Sequence, residues 1–342
     1  MKYYLSLFLL LLSLSLSATE YHLGRGMRLS ESENYILKVG GFVGAKYSSE
    51  NILSMDHNGV MLYGSFLDDF NFLVEGSGDE TFSYDFTSGK SARSDYYLSR
   101  AYLSYTYSDA LSLKVGEFLT PLGLYNVAYI PALQWTAFKP FVADGFYPKI
   151  IVGAEVSGSF GFEEGFSYSS FYHFNHRYDT NTNNVQADEF AGTELRYIFM
   201  YEAKVALNLA RYKSVNSKEI SLVGGVNLLI PFYNNELSAE FIYKDGEWKD
   251  EFGALTHWKD YAWYAQYVQS LSVKNYLSFR VGQKVRFNST KNRNWNDSNA
   301  VVGYIYKPTS ALSMKLEHRY RERDGWNALK TNETLVSFGV LF

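Results

Sequence analysis

Apolar residues recur at every second position through much of this chain, and that period admits strands and little else. From Tyr35 to Tyr47, Leu37, Val39, Val43 and Ala45 share one side, while Lys38, Gly40, Gly44 and Lys46 share the other. From Glu219 to Ile230, Ile220, Leu222, Val226 and Leu228 alternate with Ser221, Gly225 and Asn227. Val273 to Phe287 sets Leu277, Phe279, Val281 and Val285 against Ser278, Arg280, Lys284 and Arg286. The final residues, Thr334 to Phe342, place Val336, Phe338, Val340 and Phe342 on one face. An uncovered aromatic strand is a liability in water. On a membrane barrel it is the lipid face.

Sixteen such strands fit between residues 35 and 342. An even number returns both ends of the chain to the same side of a membrane. The connections read as alternating in length. Short links fall at Asp68-Asp69, Ser108-Asp109, Glu163-Glu164, Tyr201-Glu202 and Phe232 to Asn235, then at Gln269 to Leu271 and Pro308 to Ser310. Long links are expected at 48–58, 78–94, 119–149, 177–189, 245–259, 288–298 and 322–331, and only the link near 213–218 is short where a long one is due. A barrel with tight turns at one end and long loops at the other predicts this asymmetry. The fold class expected is therefore all-β, a transmembrane antiparallel up-and-down barrel with an inward-folded loop. Paired tyrosines near strand ends, such as Tyr35 with Tyr47 and Tyr304 with Tyr306, suit headgroup girdles.

Composition supports this. Aromatics make up 18% of the chain, with 30 Tyr and 25 Phe, and only 6 Pro accompany 26 Gly. Lys2, the apolar run Leu5 to Leu16 and small residues at Ser15, Ser17 and Ala18 read as a cleaved signal peptide over 1–18. The barrel then occupies 19–342, exported to the outer membrane of a Gram-negative cell. Without cysteine, export brings no disulfide framework. Phe118 to Phe138 is uncharged and long enough for a membrane helix, but it holds Pro121 and Pro131. Each interior proline costs ~3 kcal/mol in a helix, so this segment is a loop.

That loop, Leu119 to Lys149, contains Pro121, Pro131, Pro140 and Pro148, and is rich in aromatics. An apolar loop of this length is expected to turn inward and pack on the wall. Its entry, Lys114 to Asn126 (KVGEFLTPLGLYN), resembles the entry to the third loop in outer-membrane porins related to the phosphate-selective porins. The resemblance covers about a dozen residues. It implies a sixteen-stranded, trimeric diffusion channel with a constriction after the fifth strand, and it makes the C-terminal Phe a recognition tail for barrel insertion. The constriction residues expected are Tyr125, Trp135, Lys139 and Asp144.

Sorting charges by face assigns Lys38, Lys46, Arg100, Lys114, Glu155, Arg196, Arg280, Lys284, Arg286, Arg319 and Arg321 to the lumen. Glu75, Glu194, Glu240 and Glu317 join Glu155 as the acidic minority, the remaining carboxylates being placed in loops and turns. The chain carries a net charge of −4, yet its lumen reads as basic and so as favouring anions. The alternative is cross-strand pairing, with Glu194 beside a neighbouring base.

No catalytic signature emerges. His173 and His176 fall on opposite strand faces, and no cysteine or carboxylate cluster completes a metal site. No cofactor and no nucleic-acid partner is expected. The expected partners are outer-membrane lipid and lipopolysaccharide, small hydrophilic solutes or anions, and two further copies of the chain. The function expected is passive diffusion of small hydrophilic solutes. A structural or adhesive barrel is the second reading, and an aromatic loop serving hydrophobic solutes is a third that the basic wall opposes.

Overall fold

The computed structural model describes residues 21–161, 164–174, 185–199, 202–215, 220–249, 255–288, 293–324 and 328–342. Sixteen antiparallel strands form the wall. They are β1 (Tyr35–Ser48), β2 (Ile52–Phe66), β3 (Phe70–Asp85), β4 (Tyr97–Ser108), β5 (Leu111–Leu119), β6 (Ile150–Gly161), β7 (Gly165–His173) and β8 (Ala187–Ile198). The second half comprises β9 (Lys204–Ser214), β10 (Ile220–Phe232), β11 (Asn235–Lys249), β12 (Leu255–Ser270), β13 (Asn275–Asn288), β14 (Arg293–Thr309), β15 (Leu312–Asp324) and β16 (Leu329–Leu341). Each strand pairs with its sequence neighbours, and β16 pairs with β1 to close the sheet. Closure removes the two free edges that an open sheet would carry.

The seam has two parts. Residues Leu335–Leu341 of β16 pair with Phe42–Ser48 of β1, and Phe342 exchanges two 2.8 Å backbone hydrogen bonds with Gly41. The other half of β1, Tyr35–Val39, pairs with a short strand Gly26–Ser32, which continues the line of β16. Gly41 is required there. A Cβ on it would lie 2.5 Å from the Gly59 carbonyl and 2.8 Å from the Phe342 ring.

The burial pattern is inverted relative to a protein folded in water. Leu209, Leu222, Val281, Leu316 and Val336 are exposed, while Ser221, Asn227, Ser238, Ser278, Arg280 and Glu317 are buried. One face of the wall is an apolar belt and the other turns charge and hydroxyl groups into the barrel, as strand period demands.

Strand extents correct the expected links. Residues 52–58 and 78–85 belong to β2 and β3, and 293–298 to β14, so three of the long links shrink. Residues 245–249 and 255–259 likewise extend β11 and β12. Among the described residues, 86–96 and 120–149 remain long links on the loop side. At 52–58 and 78–85 the β2–β3 register shifts between the Met55 and His57 pairs, and such a bulge breaks the apolar alternation that marks a strand. At 245–249 and 293–298 polar residues occupy successive positions, which hides the same alternation.

Candidate functional site

The segment 120–149 carries the candidate site. Its base is tied by Thr120, whose backbone N–H donates to the Lys149 carbonyl at 2.8 Å and whose hydroxyl donates to the Pro148 carbonyl. Its prolines and apolar residues exclude regular structure apart from one 3-10 turn at Phe141–Ala143. Leu122, Phe141, Val142, Phe146 and Tyr147 are buried in one cluster with Phe171, Phe190, Tyr212 and Tyr264 of the wall. Burying each such side chain contributes ~1.5–3 kcal/mol, which explains why so apolar a segment stays out of solvent.

Polar contacts fix where it lies. On β11, Glu240 accepts the Leu124 N–H at 3.3 Å and the Tyr125 N–H at 3.4 Å. On β15, Glu317 accepts the Ala137 N–H at 2.6 Å and the Phe138 N–H at 3.3 Å. On β13, Arg280 donates to the Phe138 carbonyl at 2.7 Å and to the Thr136 hydroxyl. Lys315 donates to the Pro131 carbonyl at 2.8 Å. Across the barrel on β3, Glu75 accepts the Tyr129 hydroxyl at 2.6 Å. Pro131 and Ala132 rest on a paired notch in the seam, Gly44 opposite Gly339. A Cβ on Gly44 would lie 2.7 Å from the Pro131 ring, and one on Gly339 would lie 2.8 Å from the Ala132 nitrogen.

The four expected constriction residues are spread along this segment. Tyr125 packs against the apolar cluster. Trp135 donates to Glu236 at 2.9 Å and receives the Lys307 ammonium over its ring at 3.9 Å. Lys139 lies 3.7 Å from Asp79 of β3. The Asp144 carbonyl accepts from Lys284 at 3.0 Å.

The bases assigned to the lumen are mostly paired. Lys46 binds Asp56 at 2.8 Å and Glu80 at 2.9 Å. Arg100 binds Glu75, Lys114 binds Glu155 at 2.8 Å, and Arg196 binds Glu194. Arg286 forks onto Asp260 at 2.9 Å, Arg319 meets Glu333, and Arg321 meets Asp297. Arg280 is only 2% exposed and directs its donors to the loop, so it is not available to a solute. Lys38 and Lys114 line a cavity with Tyr63 and Tyr102 toward the short-turn end.

This corrects the expectation that most carboxylates sit in loops and turns. Asp56, Asp79 and Asp297 lie on strands and face bases. Asp56 and Asp79 sit where the wall bulges: the β2–β3 register shifts between Met55 and His57. The β3–β4 register shifts between Glu75 and Gly76, so Ser99 and Arg100 both reach Glu75. A bulge puts sequence neighbours on one face, and period-two sorting fails there. His57, Lys149, Glu236, Lys307 and Arg323 were missed as well. For Lys149, Glu236, Lys307 and Arg323 the available signal was a charged residue near a strand end. His173, by contrast, is buried and accepts the Val152 N–H at 3.0 Å. His176, Glu163 and residues 1–18 lie outside the described residues.

Between β2–β4 and the loop remains a cavity of about 90 Å³, lined by Asp56, His57, Asp79, Tyr97, Lys139 and Lys149. A second cavity of about 350 Å³ lies toward the loop end, among β12–β15.

The fold matches solved structures of outer-membrane proteins. OmpT of Vibrio cholerae superposes with a TM-score of 0.65 at 10% identity, over 92% of this chain and 99% of that one. The anion-selective porin of Comamonas acidovorans gives 0.62 at 11% identity, over 90% and 100%. OmpF of Salmonella typhi, solved with daunomycin, gives 0.65 at 11%, over 92% and 100%. No protein-family model and no curated protein matches the chain. At such identities the likeness is one of fold, and the chain adopts the same closed sixteen-stranded antiparallel barrel.

Proposed function

We propose that this protein is an outer-membrane porin, a channel and not an enzyme, through which small hydrophilic solutes diffuse with a lean toward anions. The carrying observation is segment 120–149, bonded to inner-face side chains of β3, β11, β13 and β15. Such a segment folds inward and narrows the channel, leaving passages rather than an open bore. The anion lean rests on uneven neutralisation. Arg321 and Arg323 share the carboxylate of Asp297, and with Lys284 and Arg286 they outnumber the carboxylates beside them, Asp144, Asp297 and the Arg286 partner Asp260. A positive surplus beside a low-dielectric wall attracts anions. Trimerisation is part of the proposal, since OmpT of Vibrio cholerae has a trimer form. So are cleavage of 1–18 and contact with lipid and lipopolysaccharide along the apolar belt.

Planar-bilayer recording under a KCl gradient tests this. A reversal potential on the chloride side supports the reading, and Arg321→Glu with Arg323→Glu moves it toward potassium. A potassium-selective wild type removes the anion lean.

One observation favours a second reading, a non-conducting barrel with a structural or adhesive role. The loop is anchored on opposite walls, through Tyr129 on Glu75 of β3 and the Leu124 and Tyr125 N–H groups on Glu240 of β11, with only about 90 Å³ left on the β3 side. Absence of single-channel current selects that reading.

A further inference from the structure

The cavity of about 350 Å³ among β12–β15 combines two features that a simple ion path does not need. One is a surplus of cations. Arg321 and Arg323 hold Asp297 from two sides, at 2.8 Å and 2.9 Å from their Nε atoms. One carboxylate is therefore shared by two guanidinium groups. Lys284 adds a positive charge, bonded to the main-chain oxygen of Asp144, whose carboxylate lines the same cavity. Lys284, Arg286, Arg321 and Arg323 still outnumber the carboxylates beside them, Asp144, Asp297 and the Arg286 partner Asp260. The other feature is an aromatic floor. Trp258 and Trp295 stand on adjacent stretches of β12 and β14 with ring centroids 5.5 Å apart and planes 24° from parallel. Arg286 lies over Trp258 at 5.7 Å while forking onto Asp260. The volume is within the ~300–1,000 Å³ of small-molecule sites.

Hydrated chloride or phosphate has no use for two indoles. A neutral sugar has no use for three cations. A flat organic anion uses both: its carboxylate sits between Lys284 and the Arg321–Arg323 pair, where charge-assisted hydrogen bonds are strong, and its ring extends the indole stack, where offset aromatic pairs are favourable. Resting on the porin reading above, we infer that this cavity is a binding site for aromatic carboxylates, which it collects at the loop end of the channel before they meet the narrow segment.

The probe is benzoate, titrated by calorimetry into the detergent-solubilised, full-length protein, with acetate, benzylamine and inorganic phosphate as comparators. Benzoate binds at least tenfold more tightly than acetate or phosphate, and benzylamine does not bind. Trp258→Leu and Lys284→Met each weaken benzoate at least fivefold, and circular dichroism checks that both variants remain β-barrels. Arg323→Gln, at the more exposed guanidinium, is the fallback if either fails to fold. Equal affinity for acetate and benzoate overturns the inference, because the indoles then contribute nothing. So does benzoate affinity unchanged in the variants that fold. Calorimetry reads binding without transport: a protein that conducts in bilayers but ignores benzoate retains the porin reading and loses this site, whereas one that binds benzoate without conducting loses the porin reading alone.

Discussion

The two walls that hold segment 120–149 are built differently. The β2–β4 wall is bulged, with register shifts at Met55/His57 and at Glu75/Gly76, and it meets the loop through loop side chains. Tyr129 reaches Glu75 with its hydroxyl, and Lys139 reaches Asp79 with its ammonium. The wall from β9 to β14 runs in unbroken register. There, and on β15, wall side chains grip loop backbone: Arg280 and Glu317 between them take the carbonyl of Phe138 and the N–H groups of Ala137 and Phe138. A backbone grip ignores loop side-chain identity, whereas a side-chain grip depends on it. Among these polar contacts, wall substitutions should therefore dominate on one side and loop substitutions on the other.

The largest effect is expected from Glu317→Ala. It strands two backbone donors in a buried site, at ~1–3 kcal/mol each. Chemical unfolding in detergent should shift to lower denaturant, and single-channel conductance should rise as the loop leaves the wall. An unchanged conductance would show that the apolar cluster alone places the loop. Next comes Gly339→Val, whose Cβ would fall 2.8 Å from the Ala132 nitrogen. Overpacking of this kind costs ~1–3 kcal/mol, and conductance noise should increase because the notch no longer fits the loop tip.

On the bulged side, Tyr129→Phe removes one donor from Glu75. A hydrogen bond to a charged group contributes ~1.5–3 kcal/mol. The loss should lie at the low end, because Arg100 and Ser99 still bind that carboxylate, each at 2.9 Å. An effect as large as that of Glu317→Ala would erase the contrast between the walls. The smallest stability change belongs to Lys139→Ala. Its 3.7 Å pair with Asp79 is partly exposed, and such pairs contribute ~0–1 kcal/mol. The variant should instead move the reversal potential toward potassium, since Asp56 and Asp79 then face the passage with less opposing charge. A melting shift without a change in selectivity would make Lys139 a structural residue.

The contrast between walls also explains what could be read from the chain. On β9 to β14 the period of two holds, so spacing alone assigns Arg280, Lys284 and Glu240 to one face, and each of them bonds segment 120–149. On β2 to β4 the bulges place Asp56 beside His57 and Ser99 beside Arg100 on one face. Alternation misreads such places, and residues 52–58 and 78–85 passed for loop. The acidic half of the site was lost with them.

By itself the sequence determined the barrel. Alternation commits every strand to one wet and one apolar face, and only closure buries all the backbone edges that such strands expose. The even strand number, the terminal strand at the seam and the long proline-rich loop were legible because they depend on local pattern. Pairing was decided by the tertiary structure. Whether Lys46 is a free cation or the partner of Asp56 and Glu80 depends on cross-strand register and on bulges, which bring together residues far apart in the chain. Net charge in the lumen is a sum over such pairs, so the basic wall inferred from spacing became a largely neutralised one with a local surplus at Lys284, Arg321 and Arg323.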